Sequence, residues 1–226
     1  MIIFENVSKA FPKPGGGKKV ILRNFTAAFR PGVNIGILGR NGAGKSTLMN
    51  LIAGGDMPDR GRIIRDGRIS WPLGFKGGLL GKLTGNQNCQ LIADIYGKDR
   101  RAVVDFVADF SELGTYLDTP VKTYSAGMKA RLAFGICMAI DFEYYLIDEV
   151  IAVGDSTFKK KSKAVFEDRR ENSTLLLVSH SSSLLRAFCD IGGVLENGEL
   201  TFYDDIEEAI EVHEDNLKRG LRGNAQ

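Results

Sequence analysis

An α/β fold around a parallel sheet is what the sequence predicts, on three observations. First, YYLID (144–148) and STLLLVS (173–179) are continuous apolar runs, as strands covered on both faces require. Second, the strand-like VNIGIL (33–38) runs through a glycine loop into a helical stretch at 44–53. Third, residues 85–140 place their apolar side chains at helical spacing.

The elements follow in chain order. MIIFENV and KKVILRNFTAAF are strand-like runs joined by the flexible KPGGGK. Pro31-Gly32 turns the chain into 33–38. Helix 44–53 lines one face with Leu48, Leu51 and Ile52 and ends at Gly54-Gly55. Asp66-Gly67, between RII and RIS, is a hairpin signal. Leu91, Ile92 and Ile95 form one apolar stripe, Val103, Val104, Val107 and Phe110 a second, and Leu132, Ile136 and Ala139 a third; all are expected to be core. Asn197-Gly198 marks another hairpin, and the amphipathic DDIEEAIEVHEDNLKRG turns Ile206, Ile210 and Leu217 inward.

Composition narrows the function classes. A chain of 226 residues with 43% apolar and 26% charged residues builds one sizeable soluble core. A net charge of +2 is too small to argue for nucleic acid. FKKKSK (158–163) reads as a solvated helix face, with anionic lipid contact the minor alternative. Cys89, Cys137 and Cys189 are far apart, which fits reduced, buried thiols. The first residues lack the long apolar core of a leader, and no run reaches the roughly 18 apolar residues a bilayer span needs. If the protein works at a membrane, another chain is expected to cross it.

Four clusters carry chemistry. Gly39-Arg40-Asn41-Gly42-Ala43-Gly44-Lys45-Ser46 matches G-x-x-x-x-G-K-S in its required strand–loop–helix context, with Thr47 next in line. Its glycines let backbone N–H groups wrap a phosphate; Lys45 neutralises phosphate charge, and the Ser46 hydroxyl can ligate Mg²⁺. Asp148-Glu149 ends a buried strand: Asp148 to hold Mg²⁺ through water, Glu149 to polarise an attacking water as general base. His180, at the edge of another buried strand, can donate to a γ-phosphate; the bland alternative is a surface histidine. His213, in a polar helix, takes the bland reading. The turn Tyr124-Ser125-Ala126-Gly127-Met128 opens a helix and offers a second anion-binding N-terminus. Asp155 either orients a neighbouring site or caps a helix at Ser156, and Phe11 either stacks on a nucleotide base or is core.

Together these motifs resemble those of the ATP-binding cassette (ABC) ATPases over nearly the whole chain. GRNGAGKST is similar to their Walker A loop, YYLIDE to Walker B, VIAVGD with Asp155 to the D-loop, VSH to the switch histidine, and YSAGM to the signature. SKAF puts Phe11 where that family carries its adenine-stacking aromatic. The resemblance implies a P-loop NTPase fold with a RecA-like core, an antiparallel β subdomain and a helical subdomain at about 85–140, in one domain over 1–226. It also implies ATP and Mg²⁺ as ligands. The signature turn would act in trans on nucleotide held by a second copy of the chain.

SWPLGFKGGLLGKLTGNQN, KTYSAGM and DEVIAVGD are similar more narrowly to the capsular polysaccharide export ATPases of Gram-negative bacteria. That resemblance implies two copies of a separate membrane-spanning permease and a lipid-linked acidic polysaccharide as cargo. It places the chain peripherally on the cytoplasmic face of the inner membrane, with no nucleic acid partner. Export of O-antigen or teichoic acid precursors is the near alternative, a soluble non-transport ABC ATPase the distant one. The chain ends soon after its last hairpin, so the extra carbohydrate-binding domain of some O-antigen exporters is not expected.

Two departures stand out. Leu73 to Leu80 holds no glutamine where the family has its Q-loop, and Gln87 and Gln90 come too late. The signature carries Ala126 and Met128 in place of glycine and glutamine.

Overall fold

The computed structural model describes residues 1–73, 78–148 and 156–223; Glu149, Asp155 and residues 74–77 of the glutamine-free stretch lie outside them. Among the described residues the chain forms two compact units. One is built from 1–72, 143–148 and 170–223, the other from 73, 78–142 and 156–169.

The elements run β1 (Ile2–Pro12), β2 (Lys18–Phe29), β3 (Ile35–Leu38), α1 (Lys45–Ala53) and β4 (Arg60–Arg65). Then come α2 (Gly85–Ile95), α3 (Arg100–Ser111), α4 (Ala126–Met138), β5 (Tyr144–Asp148), α5 (Ser156–Asn172) and β6 (Thr174–Val178). The last are α6 (Ser182–Phe188), β7 (Ile191–Glu196), β8 (Glu199–Tyr203) and α7 (Ile206–Gly223).

The first unit holds two sheets. One is antiparallel in the order β2-β1-β4; the other runs β5-β6-β3-β7-β8, parallel except for the last pair. Of the two predicted continuous runs, 173–179 contains the inner strand β6, which is wholly buried, and 144–148 is β5 at the edge of the sheet, buried except at Asp148; β3, between β6 and β7, is wholly buried too. On β1 the buried set is Ile2, Phe4, Val7 and Lys9. Strict alternation would put Val7 on the opposite face from Phe4. Asn6 at φ 51° and a register shift between Phe4 and Val7 form a bulge that returns it to the core.

Between the sheets, Phe4, Phe29, Leu48, Ile52, Tyr144 and Leu146 are fully buried. Phe4 meets Phe25 edge-on at 5.4 Å and Phe29 at 5.6 Å, and Tyr144 Oη donates to Phe29 O at 3.2 Å. Each such side chain contributes roughly 1.5–3 kcal/mol on leaving water. Lys9 is buried at the margin, where its Nζ donates to Asp56 Oδ1 at 2.8 Å and Met57 O at 2.7 Å.

Two turn predictions divide. Asn197 and Gly198, both at positive φ, join β7 to β8 as a type I′ hairpin, as expected. Asp66-Gly67 does not make one. β4 already pairs with β1, and Asp66 N donates to Met1 O. After Gly67 the chain leaves that sheet: Glu143 Oε1 accepts from Arg68 N, Arg68 O accepts from Glu143 N, and Ile69 bridges Tyr144 in parallel. Hairpin chemistry at the turn is outcompeted by backbone partners 75 residues away.

The second unit packs helices. Phe110, Phe134, Phe158 and Phe166 form a ring-on-ring core with centroids 5.1–6.2 Å apart. The stripe of α3 is buried as predicted at Val103, Val107 and Phe110. That of α2 is not. Ile95 is 63% exposed, while Cys89, Ala93 and the polar Asn88 are buried. Asn88 earns its burial by accepting from Leu80 N and donating to the carbonyls of Leu80 and Thr84. Gln87 completes a capping box with Thr84, which occupies its amide locally. In α7, in the first unit, Ile206 and Ile210 are buried as predicted but Leu217 is exposed. On α5, Lys159, Lys160 and Lys163 face solvent around buried Phe158 and Ser162, the solvated face expected for the lysine run. Cys89, Cys137 and Cys189 are free and buried.

Candidate functional site

The glycine loop leaves β3 after Leu38 and enters α1 at Lys45. Two of its glycines are dictated by space. Gly39 runs so close to β7 that a Cβ there would sit 2.5 Å from Leu195 O. Gly44, at φ 114°, presses on β2, where a Cβ would sit 2.5 Å from Ile21 Cγ2. Ala43 N donates to Arg40 O, closing the loop. Lys45 is buried, with Nζ donating to Gly39 O at 2.6 Å and Arg40 O at 3.2 Å, so the ammonium spans the loop it serves. The far end of α1 is fixed too: Gly54 caps it in the left-handed conformation, and the Arg65 guanidinium donates to the carbonyls of Leu51 and Ile52.

The sheet order brings the other predicted groups here. β5 ends at Asp148, whose Oδ2 accepts from Ser46 Oγ at 2.9 Å. β6 pairs with β5, Val178 opposite Asp148, which carries exposed His180 to the same edge. Phe11 is 39% exposed, so it is not core; Lys9 Nζ lies 5.1 Å from its ring centroid. Phe11, Lys19 and Ile21 from the antiparallel sheet, Asn41, Gly42 and residues 44–47 of the loop and helix, Asp148 and His180 surround one cavity of about 360 Å³.

His213, expected only as part of a polar helix, has a different neighbourhood in the fold. It is half-buried on α7, and burial, then the positive charges of Lys45 and His180, hold its imidazole below the usual 6.5. The signal was in the sequence: Ile206, Ile210 and His213 fall on one helical stripe. Close by, Asn216 Nδ2 donates to Glu196 Oε2 at 2.6 Å, tying α7 to the end of β7.

The donor set fits a hard cation. Among the described residues no group of three His, Cys, Asp or Glu gathers to hold a metal. Ser46 and Asp148 instead offer one hydroxyl and one carboxylate, suited to an ion that keeps waters and shares phosphate oxygens.

The second unit holds the turn Tyr124–Met128. Tyr124 is buried and its hydroxyl donates to Tyr116 O, which anchors the turn. Ser125 caps α4 by accepting from Met128 N at 3.2 Å. Ser125, Ala126 and Gly127 are exposed, and a Cβ on Gly127 would meet only Ser125 Oγ, at 3.9 Å. The turn is therefore open to a ligand from outside. Glu149 and Asp155 lie outside the described residues. No described helix is long and apolar enough to cross a membrane.

The family model described as "ABC transporter" matches residues 22–152. The "Polysialic acid transport ATP-binding protein KpsT" of Escherichia coli is 47% identical over 96% of this chain and 100% of that protein. The "Capsule polysaccharide export ATP-binding protein CtrD" of Neisseria meningitidis is 48% identical over 94% of this chain and 98% of its own. Among solved structures, the fold is similar to the "Dimeric structure of a post-hydrolysis state of the ATP-binding cassette MJ0796 bound to ADP and Pi", with a TM-score of 0.76 and 22% identity over 90% of this chain and 98% of that one.

Proposed function

We propose, from the premise that this chain belongs to the ABC transporter ATP-binding family, that it is the ATP-hydrolysing subunit of an exporter of lipid-linked capsular polysaccharide. The observation that carries the enzymatic part is the Ser46–Asp148 pair beside a loop braced by Lys45. The cargo reading is supported by the names of the relatives that match nearly end to end.

In this reading the backbone N–H groups of residues 39–47 hold the β- and γ-phosphates, with Lys45 neutralising their charge. Ser46 and Asp148 would hold Mg²⁺, which would supply positive charge beside the transferring phosphate. Glu149 takes a proton from the attacking water, and His180 donates to the γ-phosphate. Phe11 stacks on the adenine. Tyr124–Met128 completes the site of a second copy, and Asp155 orients that neighbour. Residues 85–140, which contain α2, α3 and α4, serve as the helical subdomain of a single domain over 1–226. Two copies dock on two copies of a permease at the cytoplasmic face of the inner membrane, and the cargo is acidic. Exposed Leu80, in the stretch that joins the β-rich part to the helices, is part of the docking surface.

Purifying the chain with its permease tests this reading. ATPase activity of the complex is expected to rise with a lipid-linked acidic polysaccharide. A chain that neither sediments with membranes nor responds to any such glycolipid overturns the transport assignment.

A further inference from the structure

Beside the glycine loop lies a second cavity of about 370 Å³ to which the ATPase reading assigns no ligand. Lys13, Lys18, Lys19 and Arg23 line it, with Val20, the loop residues Gly42 and Ala43, and the Asn197-Gly198 hairpin as its other walls. No aspartate or glutamate lines it. None of the four cations makes a side-chain ion pair among the described residues, although cationic side chains elsewhere on the chain commonly do. The walls are fixed: Arg23 N donates to Gly198 O at 2.9 Å, and a Cβ on Gly198 would touch Val20 Cγ1 at 3.0 Å.

The wider charge distribution points the same way. Residues 1–72 carry twelve Lys and Arg against four Asp and Glu, while the whole chain is only +2. Four unpaired like charges around one concavity repel each other. A multiply charged anion relieves that repulsion, and the concavity focuses its field on such a ligand. A single chloride-sized ion would leave most of this volume unfilled.

We infer that this groove is a binding site for a short linear polyanion, charged by phosphate or by carboxylate, lying next to the nucleotide cavity. Lys19 and Gly42 line both cavities, so the two sites are coupled. A polyanion in the groove takes up the field of Lys19 and adds negative charge beside the triphosphate. Each ligand therefore weakens the other, by the same factor in both directions. The groove shares Gly42 and Ala43 with the loop but extends away from the phosphate cradle, because Lys45, Ser46 and Asp148 do not line it.

Calorimetric titration of tripolyphosphate into the Lys45→Ala protein tests this, since that change cripples the cradle and spares the groove. Tripolyphosphate is expected to bind one to one and to weaken as salt rises. Adding Lys13→Ala, Lys18→Ala and Arg23→Ala should weaken it about tenfold or more. All three side chains are exposed, and an unchanged melting curve shows that the fold is kept. Restoring charge with Lys13→Arg and Lys18→Arg should recover binding. A parallel titration with tetragalacturonate separates the sources: binding there assigns carboxylated sugars, and binding of tripolyphosphate alone assigns phosphoryl chains. If the Lys45→Ala protein binds neither probe, or binds them equally without the three cations, there is no such site. Neither result depends on ATP turnover, so failure here leaves the ATPase reading standing, and loss of wild-type ATPase activity would leave this site standing.

Discussion

The hydroxyl of Ser46 donates to the carboxylate of Asp148 across 2.9 Å, although 102 residues separate them in the chain. One residue lies in the first turn of the helix after the glycine loop, and the other closes a strand at the edge of the parallel sheet. Their meeting gives one oxygen-rich point beside the loop, where a divalent cation and a phosphate oxygen can share ligands.

The first prediction follows from that pair. Asp148→Asn keeps an acceptor for the Ser46 hydroxyl but loses the charge. The fold is expected to hold, and Mg²⁺-dependent turnover to fall by roughly 10²-fold or more, the order seen when one charge-stabilising group is removed. A Mg²⁺ titration of ATPase activity that matches wild type would show that Asp148 holds no metal.

Glu149→Gln removes the proposed base and keeps its shape. ATP is expected to bind, with hydrolysis reduced roughly 10²-fold or more. The protein should then accumulate as an ATP-bound dimer on size exclusion. Near-normal turnover would assign the base elsewhere.

Gly44→Ala tests the loop geometry. Its Cβ would meet Ile21 Cγ2 at 2.5 Å, at a φ of 114° that side chains rarely adopt. Denaturant titration is expected to show a loss of about 1–3 kcal/mol, with weaker nucleotide binding. Trimming the wall with Ile21→Ala should not restore binding, because the backbone strain remains. Full rescue would show that contact alone dictates the glycine.

His213 carries a pH prediction. Burial, then Lys45 and His180, hold its folded pKa below 6.5. The unfolded chain then binds more protons between the folded value and 6.5, so stability rises with pH there and is lost as pH falls below about 6.5. His213→Gln should flatten the decline in melting temperature between pH 7.5 and 5.5. An identical decline in the variant would remove His213 as its source.

The turn at Ser125–Gly127 is tested by mixing. Gly127→Asp would place a carboxylate beside a γ-phosphate, and Lys45→Ala would spoil the loop. Neither variant alone should trap nucleotide in a closed dimer. In a mixed dimer, the good loop of one meets the good turn of the other, and one site is intact. Nucleotide trapped per dimer should rise above either variant alone. No gain, with mixed dimers shown to form, would mean that the turn serves its own subunit.

Local chemistry made much of this protein legible in the sequence. Apolar runs marked β5 and β6, the loop motif marked the start of α1, and Asn197-Gly198 marked its hairpin, because each depends on residues that are neighbours in the chain. The loop, Asp148 and His180 could be named as one candidate site because strand ends of a parallel sheet share an edge. Contacts between distant segments decided the rest. Asp66-Gly67 lost its hairpin to Glu143, Ile95 lost the core to Asn88 and Cys89, and Leu217 stayed exposed beyond the buried part of its helix. Of the two places open to Phe11, packing chose the cavity rim over the core, and His213 came within the field of Lys45. The four cations of the second groove are scattered over eleven residues as a nondescript basic loop and strand. Only pairing β1 with β2, and seating β2 against the β7–β8 hairpin, turns them onto one concavity. Periodicity tells which face of an element is apolar; what that face, or its opposite, will meet is decided by the tertiary packing that brings remote segments together.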